Sequence, residues 1–66
     1  MLNGFKKARL IAGLTQEELA DSLGVSRVTV CNWESGHNLP KAKRLRDVAA
    51  ALGTTVSELL EDGRAV

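Results

Sequence analysis

Four glycines divide this chain into short segments, and their spacing constrains the fold more than any other feature of the sequence. Gly13, Gly24, Gly36 and Gly53 each follow a run in which apolar residues recur at helical spacing. Glycine after such a run is typical of a helix end, because it adopts the left-handed conformation at little cost. No segment of useful length alternates between apolar and polar residues, as a half-buried strand would. The pattern predicts five short helices, over residues 2–12, 16–23, 27–35, 41–52 and 56–61.

The residues that begin the later segments support these boundaries. Thr15 and Glu18 have the spacing of a capping box, and so do Thr55 and Glu58. The other two segments begin at or near a residue suited to a helix start, namely Ser26 and Pro40.

Length and composition then limit what these helices can build. A chain of 66 residues allows one domain, residues 1–66, with a small core. Its 44% hydrophobic and 26% charged residues are ordinary for a globular protein, so disorder is not expected. We therefore predict an all-α fold, a compact five-helix bundle. The residues expected to form its core are Leu2, Phe5, Ala8, Ala12, Leu19, Ala20, Leu23, Val25, Val30, Trp33, Ala42, Leu45, Val48, Ala49, Leu52, Val56, Leu59 and Leu60.

Several kinds of protein are not expected from this sequence. The one cysteine cannot form an intrachain disulfide, and a reducing, cytoplasmic location is the simplest expectation. One cysteine and one histidine do not make a usual zinc site, and no metal or other cofactor is expected. No apolar run approaches the ~20 residues of a membrane span, and residues 1–7 lack a signal-peptide core. No membrane partner is expected.

The centre of the chain carries the clearest functional pattern. Ala20, Gly24 and Val30 occupy the second predicted helix, the turn after it and the third predicted helix. Two helices that cross steeply over a short turn need a small residue at their contact, positive φ in the turn, and a branched apolar residue facing back. This spacing predicts a helix-turn-helix in helices two and three.

Projected at helical periodicity, the third helix has an outer face without any acidic residue, and that face suits a DNA groove. Arg27, Val28 and Asn32 are of the types that read guanine, the thymine methyl group and adenine in the major groove. Cys31 and Ser35 lie on the same face. An ordinary solvated face is the alternative interpretation.

Arg9 lies within the apolar stripe of the first helix, where an unpaired charge would be costly. Glu34 lies beside Trp33, near the inward edge of the third helix. We predict a structural ion pair between Arg9 and Glu34. The alternative is that both side chains reach solvent separately.

The net charge is only +1, but basic residues cluster on both sides of the third helix. Lys6 and Lys7 precede it, and four more follow it: Lys41, Lys43, Arg44 and Arg46. We expect Asn38, Lys41 and Lys43 to contact phosphate. Alternatively, the cations of the fourth helix only form its solvent-exposed face, since Lys43 and Asp47 have the spacing of a helix pair.

Longer motifs now indicate a family. The sequence resembles the Cro/phage-repressor (XRE) helix-turn-helix family over essentially its whole length, in the runs Gly13–Ala20, Leu23–Ser26, Trp33–Gly36, Pro40 and Ala49–Gly53. The resemblance implies a lambda-repressor-like DNA-binding fold, with the third helix in the major groove.

The resemblance also implies roles for individual positions. Arg27, Val28 and Asn32 match the family's principal base-reading positions, and Arg9 and Glu34 match its structural ion pair. Gln16 matches a residue that contacts phosphate and supports the reading helix. The other matching positions contact phosphate or lie at the groove edge: Thr15, Ser26, Thr29 and Ser35.

A small Cro-like repressor is the form of regulator that the resemblance favours, because residues 62–66 leave no room for a sensor domain. A homodimer on a near-palindromic double-stranded operator is expected, with Val56 at the dimer contact. Leu10 and Ile11 depart from the usual polar run, so they pack against the C-terminal tail or meet a partner.

Two other functional classes stay open. The same fold could serve as an antitoxin or adaptor that binds a protein partner, and Leu10 and Ile11 favour that alternative. An enzyme is not expected, since Ser26, His37 and Asp47 lack any surrounding catalytic motif. Cys31 is expected to be a small filler at the groove edge rather than a redox switch.

Overall fold

The glycine and cap signals of the sequence become helix ends in the structure, a computed structural model that describes residues 4–60. Within that range the chain is all-α, as predicted, and contains no strand. Its helices are α1 (Gly4–Ile11), α2 (Gln16–Leu23), α3 (Arg27–Ser35), α4 (Ala42–Leu52) and α5 (Val56–Leu59).

Side-chain caps begin three of these helices. Thr15 Oγ1 accepts a hydrogen bond from the Glu18 amide, and the Glu18 carboxylate accepts one from the Thr15 amide, which completes the predicted capping box. Ser26 caps α3 by accepting from the Thr29 amide at 3.1 Å. Thr55 caps α5, but the Glu58 carboxylate accepts from the Thr54 hydroxyl, so only half of the second predicted box is present.

The turn between α2 and α3 needs its glycine. Gly24 has φ +70°, in the left-handed region that residues with a side chain rarely adopt. Its amide and that of Val25 donate back to carbonyl oxygens of the last turn of α2, which satisfies groups that a helix end would leave unpaired. The turn brings Ala20, 2% exposed, and Val30, fully buried, into the contact between the two helices.

One core holds the five helices together. α2 packs against α3 and α4, while α1 packs against α3 and α5, and α4 also packs against α5. The rings of Phe5 and Trp33 lie 5.9 Å apart at the contact of α1 with α3. The core residues are Phe5, Leu19, Ala20, Val30, Trp33, Leu45, Val48, Ala49, Leu52 and Leu59.

Three residues predicted for the core are exposed: Ala12, Ala42 and Leu60. Each lies at or just beyond an end of its helix, where the neighbouring helices no longer cover it. The helix boundaries also differ from the prediction, since α1 ends at Ile11, α4 begins at Ala42 and α5 ends at Leu59. Leu2 and the predicted end of α5 at residue 61 lie outside the described residues.

Pro40 does not enter α4. Lys41 is the N-cap residue of that helix, in an extended conformation and without a side-chain capping hydrogen bond. Pro40 precedes it and is half-buried.

Candidate nucleic-acid interface

The outward face of α3 is displayed to solvent. Arg27, Cys31 and Ser35 are exposed, and the apolar side chain of Val28 is 60% exposed. The opposite face buries Val30, Trp33 and Glu34. This division arises because the helix packs on α1 and α2 through one side only. Since its only acidic residue is buried, the face presented to a ligand carries no carboxylate.

The polar residues along this face are partly engaged with the helix itself. Asn32 is half-buried, and Ser35 Oγ donates to the Asn32 carbonyl oxygen at 3.1 Å. Thr29 is half-buried, and its hydroxyl lies 2.9 Å from that of Ser26 at the start of the helix. The first turn of α3 therefore presents two hydroxyls beside Arg27.

Arg9 and Glu34 form a buried ion pair between α1 and α3. Arg9 Nε donates to Glu34 Oε2 at 2.5 Å and Nη2 donates to Oε1 at 3.3 Å, while both residues are at most 7% exposed. Arg9 Nη1 also donates to the Leu14 carbonyl oxygen at 2.7 Å. Because each partner satisfies the other, the cost of burying two charges is offset, and loss of either partner would leave an uncompensated charge.

Gln16 joins this pair to the outward face. Its Nε2 donates to Glu34 Oε1 at 3.0 Å, and its Oε1 accepts from Arg27 Nη1 at 3.4 Å. Gln16 is the first residue of α2, and its side chain contacts α3 both at Arg27, the first residue of that helix, and at Glu34 near its end. The resemblance implied that Gln16 supports the reading helix, but nothing in the sequence indicated that its partner is Glu34, 18 positions away.

A shallow groove of about 640 Å³ leads from the end of α1 to Arg27. Leu10 and Leu14 line its apolar part, and Gln16 lines the part next to α3. The groove opens to solvent rather than enclosing a cavity.

The start of α4 supplies exposed cations after α3 has ended. Lys41 and Lys43 are exposed, and so is Asn38 in the preceding loop. Arg44 differs from these two lysines, because it is half-buried and its Nη1 donates to the Leu23 carbonyl oxygen at 2.9 Å, at the end of α2. Arg44 thus ties α4 to the helix-turn-helix, a role that its place in a basic cluster did not indicate.

A model of the family described as helix-turn-helix matches residues 5–59, which include nearly all of the elements above. The chain belongs to the XRE family of helix-turn-helix proteins. The resemblance found in the sequence is thereby confirmed.

Relatives of this XRE-family chain carry regulator names. It is 43% identical to the HTH-type transcriptional activator BcrR of Enterococcus faecalis over 71% of this chain and 23% of that protein. It is 35% identical to an uncharacterized HTH-type transcriptional regulator of Sinorhizobium medicae, over 82% of this chain and 39% of that protein. An uncharacterized HTH-type transcriptional regulator of Methanocaldococcus jannaschii is 37% identical over 89% of both chains.

This XRE-family chain thus spans well under half the length of the first two of these relatives. No solved structure matches it at a significant level.

Residues 4–60 contain no group of three or more His, Cys, Asp or Glu side chains placed to hold a metal ion. Nor is any helix there both long and apolar enough to cross a membrane.

Proposed function

We propose that this chain binds double-stranded DNA in a sequence-specific manner, with α3 lying in the major groove. The observation that carries the proposal is the outward face of α3, which displays Arg27 and Val28 and no carboxylate. Arginine suits the O6 and N7 acceptors of guanine, and an exposed valine suits a thymine methyl group. Asn32 is the third proposed base-reading residue, and its half-buried amide suits adenine.

Phosphate contacts at both ends of α3 set the register of the duplex in this proposal. At one end lie the starts of α2 and α3, with Thr15, Gln16, Ser26 and Thr29. At the other end, Ser35, Asn38, Lys41 and Lys43 follow one another along the exposed surface. Charged and hydroxyl groups at helix starts and ends are the groups that position proteins on DNA.

The bound form is proposed to be a homodimer on a near-palindromic operator, because one small module buries little surface on DNA. Val56 is proposed as part of the dimer contact. Its side chain is half-buried against the core, so only part of it would face a partner, while Leu60 after it is 47% exposed.

Transcriptional regulation is the proposed outcome of binding, and the regulator names of the relatives support it. A Cro-like repressor is the simplest form of the proposal. A domain bound over a promoter excludes polymerase without needing to contact it.

Selection of bound duplexes from a random pool tests the proposal, with wild-type protein and Arg27→Ala compared. We expect wild-type protein to select two half-sites about one helical turn apart. Arg27→Ala should weaken binding to that site by ~1–3 kcal/mol and relax the preference at one base pair of each half-site. If the substitution left the selected sequence unchanged, α3 would not be the reading helix.

A protein-interaction role is the second candidate, and the exposed apolar residues of α1 favour it. Leu10 is 58% exposed and Ile11 is 77% exposed. An antitoxin or adaptor would cover them with a partner protein. Failure of the wild-type protein to select any sequence from the pool would favour this candidate over the first.

A further inference from the structure

Four side chains form a continuous line of hydrogen bonds from the interior of the chain to the proposed reading face. Arg9 donates to Glu34, Gln16 donates to Glu34, and Arg27 donates to Gln16. The line crosses from α1 to α3, then to the start of α2, and returns to the start of α3. Its first two members are buried, the third is half-buried and Arg27 is exposed.

The buried end of this line is held in place. Glu34 is 4% exposed and accepts from two nitrogens of Arg9, at 2.5 and 3.3 Å. Arg9 is itself fixed by the Leu14 carbonyl oxygen. Charge-assisted bonds between planar groups have defined geometry, so Glu34 Oε1 is a fixed acceptor aimed at Gln16.

Glu34 therefore determines which way the amide of Gln16 faces. In the observed orientation the amide nitrogen faces a carboxylate oxygen, and the amide oxygen faces the guanidinium of Arg27. A half-turn of the amide would place oxygen against carboxylate and NH₂ against guanidinium. Both contacts would then be unfavourable, since an ionised carboxylate only accepts and a guanidinium only donates.

The oriented amide oxygen in turn constrains Arg27. An exposed arginine otherwise samples many rotamers, and ordering it on DNA has an entropic cost. At 3.4 Å the contact with Gln16 Oε1 is a long hydrogen bond, so it biases the side chain rather than immobilising it. It occupies one of about five N–H donors and leaves the others for a base.

We propose that Glu34 is a positioning residue for base discrimination: acting through the amide of Gln16, it orients Arg27 toward its base. The preference at one base pair then depends on a buried carboxylate that does not touch DNA. The proposal rests on the proposed function, because it assumes that Arg27 reads a base.

The first test is Gln16→Met, which removes the amide but leaves the Arg9–Glu34 pair intact. The readout is the ratio of dissociation constants for the selected duplex and for one altered at the base pair that Arg27→Ala identifies. A phosphate contact made by Gln16 affects both duplexes equally and cancels in this ratio. We expect Gln16→Met to lower the discrimination at least about twofold, and to leave it unchanged when Arg27→Ala is already present.

Glu17→Met is the matched control, because it places the same side chain at the next, exposed position of α2. It should change the affinity for both duplexes alike and leave their ratio as in the wild type. An unchanged ratio in Gln16→Met would overturn the proposal. The proposal would also be overturned if Gln16→Met lowered the discrimination by the same factor in the Arg27→Ala protein as in the wild type.

The second test addresses Glu34 itself. Glu34→Gln alone leaves Arg9 buried without its anion, so folding could fail. The double substitution Arg9→Met/Glu34→Gln removes both charges and avoids that problem. The amide introduced at position 34 can accept from or donate to Gln16, so either orientation of the Gln16 amide becomes possible. We expect this folded variant to lose discrimination at the same base pair as Gln16→Met; a folded variant with the wild-type ratio would refute the role of Glu34.

A measurement without DNA separates this proposal from the proposed function. Nitrogen-15 relaxation reports the order parameter of the Arg27 Nε–H bond in the unbound protein. We expect it to fall in Gln16→Met and in the double variant, but not in Glu17→Met. If these order parameters all equal the wild-type value, the orienting contact is absent. If they fall as expected but no duplex sequence is preferred, the contact exists and its role in discrimination is refuted.

Discussion

Gly4 shows how one residue can set the distance between two helices. A Cβ atom placed on it would lie 1.8 Å from the carbonyl oxygen of Glu58 and 3.0 Å from the Cα of Leu59. Both atoms belong to the backbone of α5, so no side-chain rotation can relieve the contact. The absence of a side chain at Gly4 lets α1 and α5 pack closely.

Gly4→Ala is therefore expected to destabilise the protein. Alanine in a helix normally stabilises relative to glycine, but here α5 would have to move, at a cost of about 1–3 kcal/mol. Urea unfolding followed by circular dichroism measures the change. Lys6→Ala, at an exposed position of α1, is the control and should change stability by less than about 0.5 kcal/mol. Equal stability of Gly4→Ala and the wild type would contradict the close approach.

The contacts of some single residues could be predicted from the sequence, and those of others could not. Arg9 could be assigned an ion pair because a charge in an apolar stripe needs a partner, and the structure places it against Glu34. The partners of Gln16 and Arg44 could not be predicted in this way. Both residues are compatible with a solvated position, so their sequence context contains no conflict that a contact must resolve.

At the scale of the helix, local signals predicted where elements begin better than how far they extend. The threonine and serine caps of α2, α3 and α5 act within one turn, and the structure contains all three. The extent of the buried stripe depends on neighbouring helices instead. Ala12, Ala42 and Leu60 continue the apolar pattern but lie beyond the reach of those neighbours.

The short helix α5 depends strongly on its cap. It has four residues and buries Leu59 completely. An isolated helix of that length is not stable, so the Thr55 cap and the packing of Leu59 together maintain it. Thr55→Ala should lower the free energy of unfolding by about 0.5–2 kcal/mol, as loss of an N-cap does.

Ser57→Ala is the matched control for that prediction, because Ser57 is exposed within the same helix and does not cap it. Thermal unfolding of the two variants in one buffer makes the comparison. A Thr55→Ala protein as stable as Ser57→Ala would show that the cap contributes nothing measurable.

At the scale of the whole molecule, the arrangement of charge matters more than its sum. The net charge of +1 gives no indication of a nucleic-acid ligand. The exposed face of α3 nevertheless carries no carboxylate, and Lys41 and Lys43 follow it on an exposed surface. The acidic residues of α2, namely Glu17, Glu18 and Asp21, are exposed on a different helix.

Lys43→Gln tests whether this arrangement contacts the DNA backbone. We expect weaker binding to all duplexes by a similar factor, with the slope of log K against log salt flattened by about one unit. Lys43→Arg keeps the charge and should keep the slope. Titrations at several salt concentrations measure both variants. An unchanged slope in Lys43→Gln would remove Lys43 from the proposed phosphate contacts.

The sequence by itself determined the helices, their caps and the helix-turn-helix. These features depend on residues within a few positions of one another, where spacing along the chain is also spacing in the structure. Its motifs also determined the family, which the match over residues 5–59 confirmed.

Apart from the Arg9–Glu34 ion pair, which the sequence predicted, only the tertiary structure decided which residues meet across helices. The Gln16–Glu34 and Arg44–Leu23 contacts join positions 18 and 21 residues apart. The close approach of α1 to α5 at Gly4 is of the same kind. Such contacts depend on how the helices cross and how far side chains reach, and helical periodicity specifies neither.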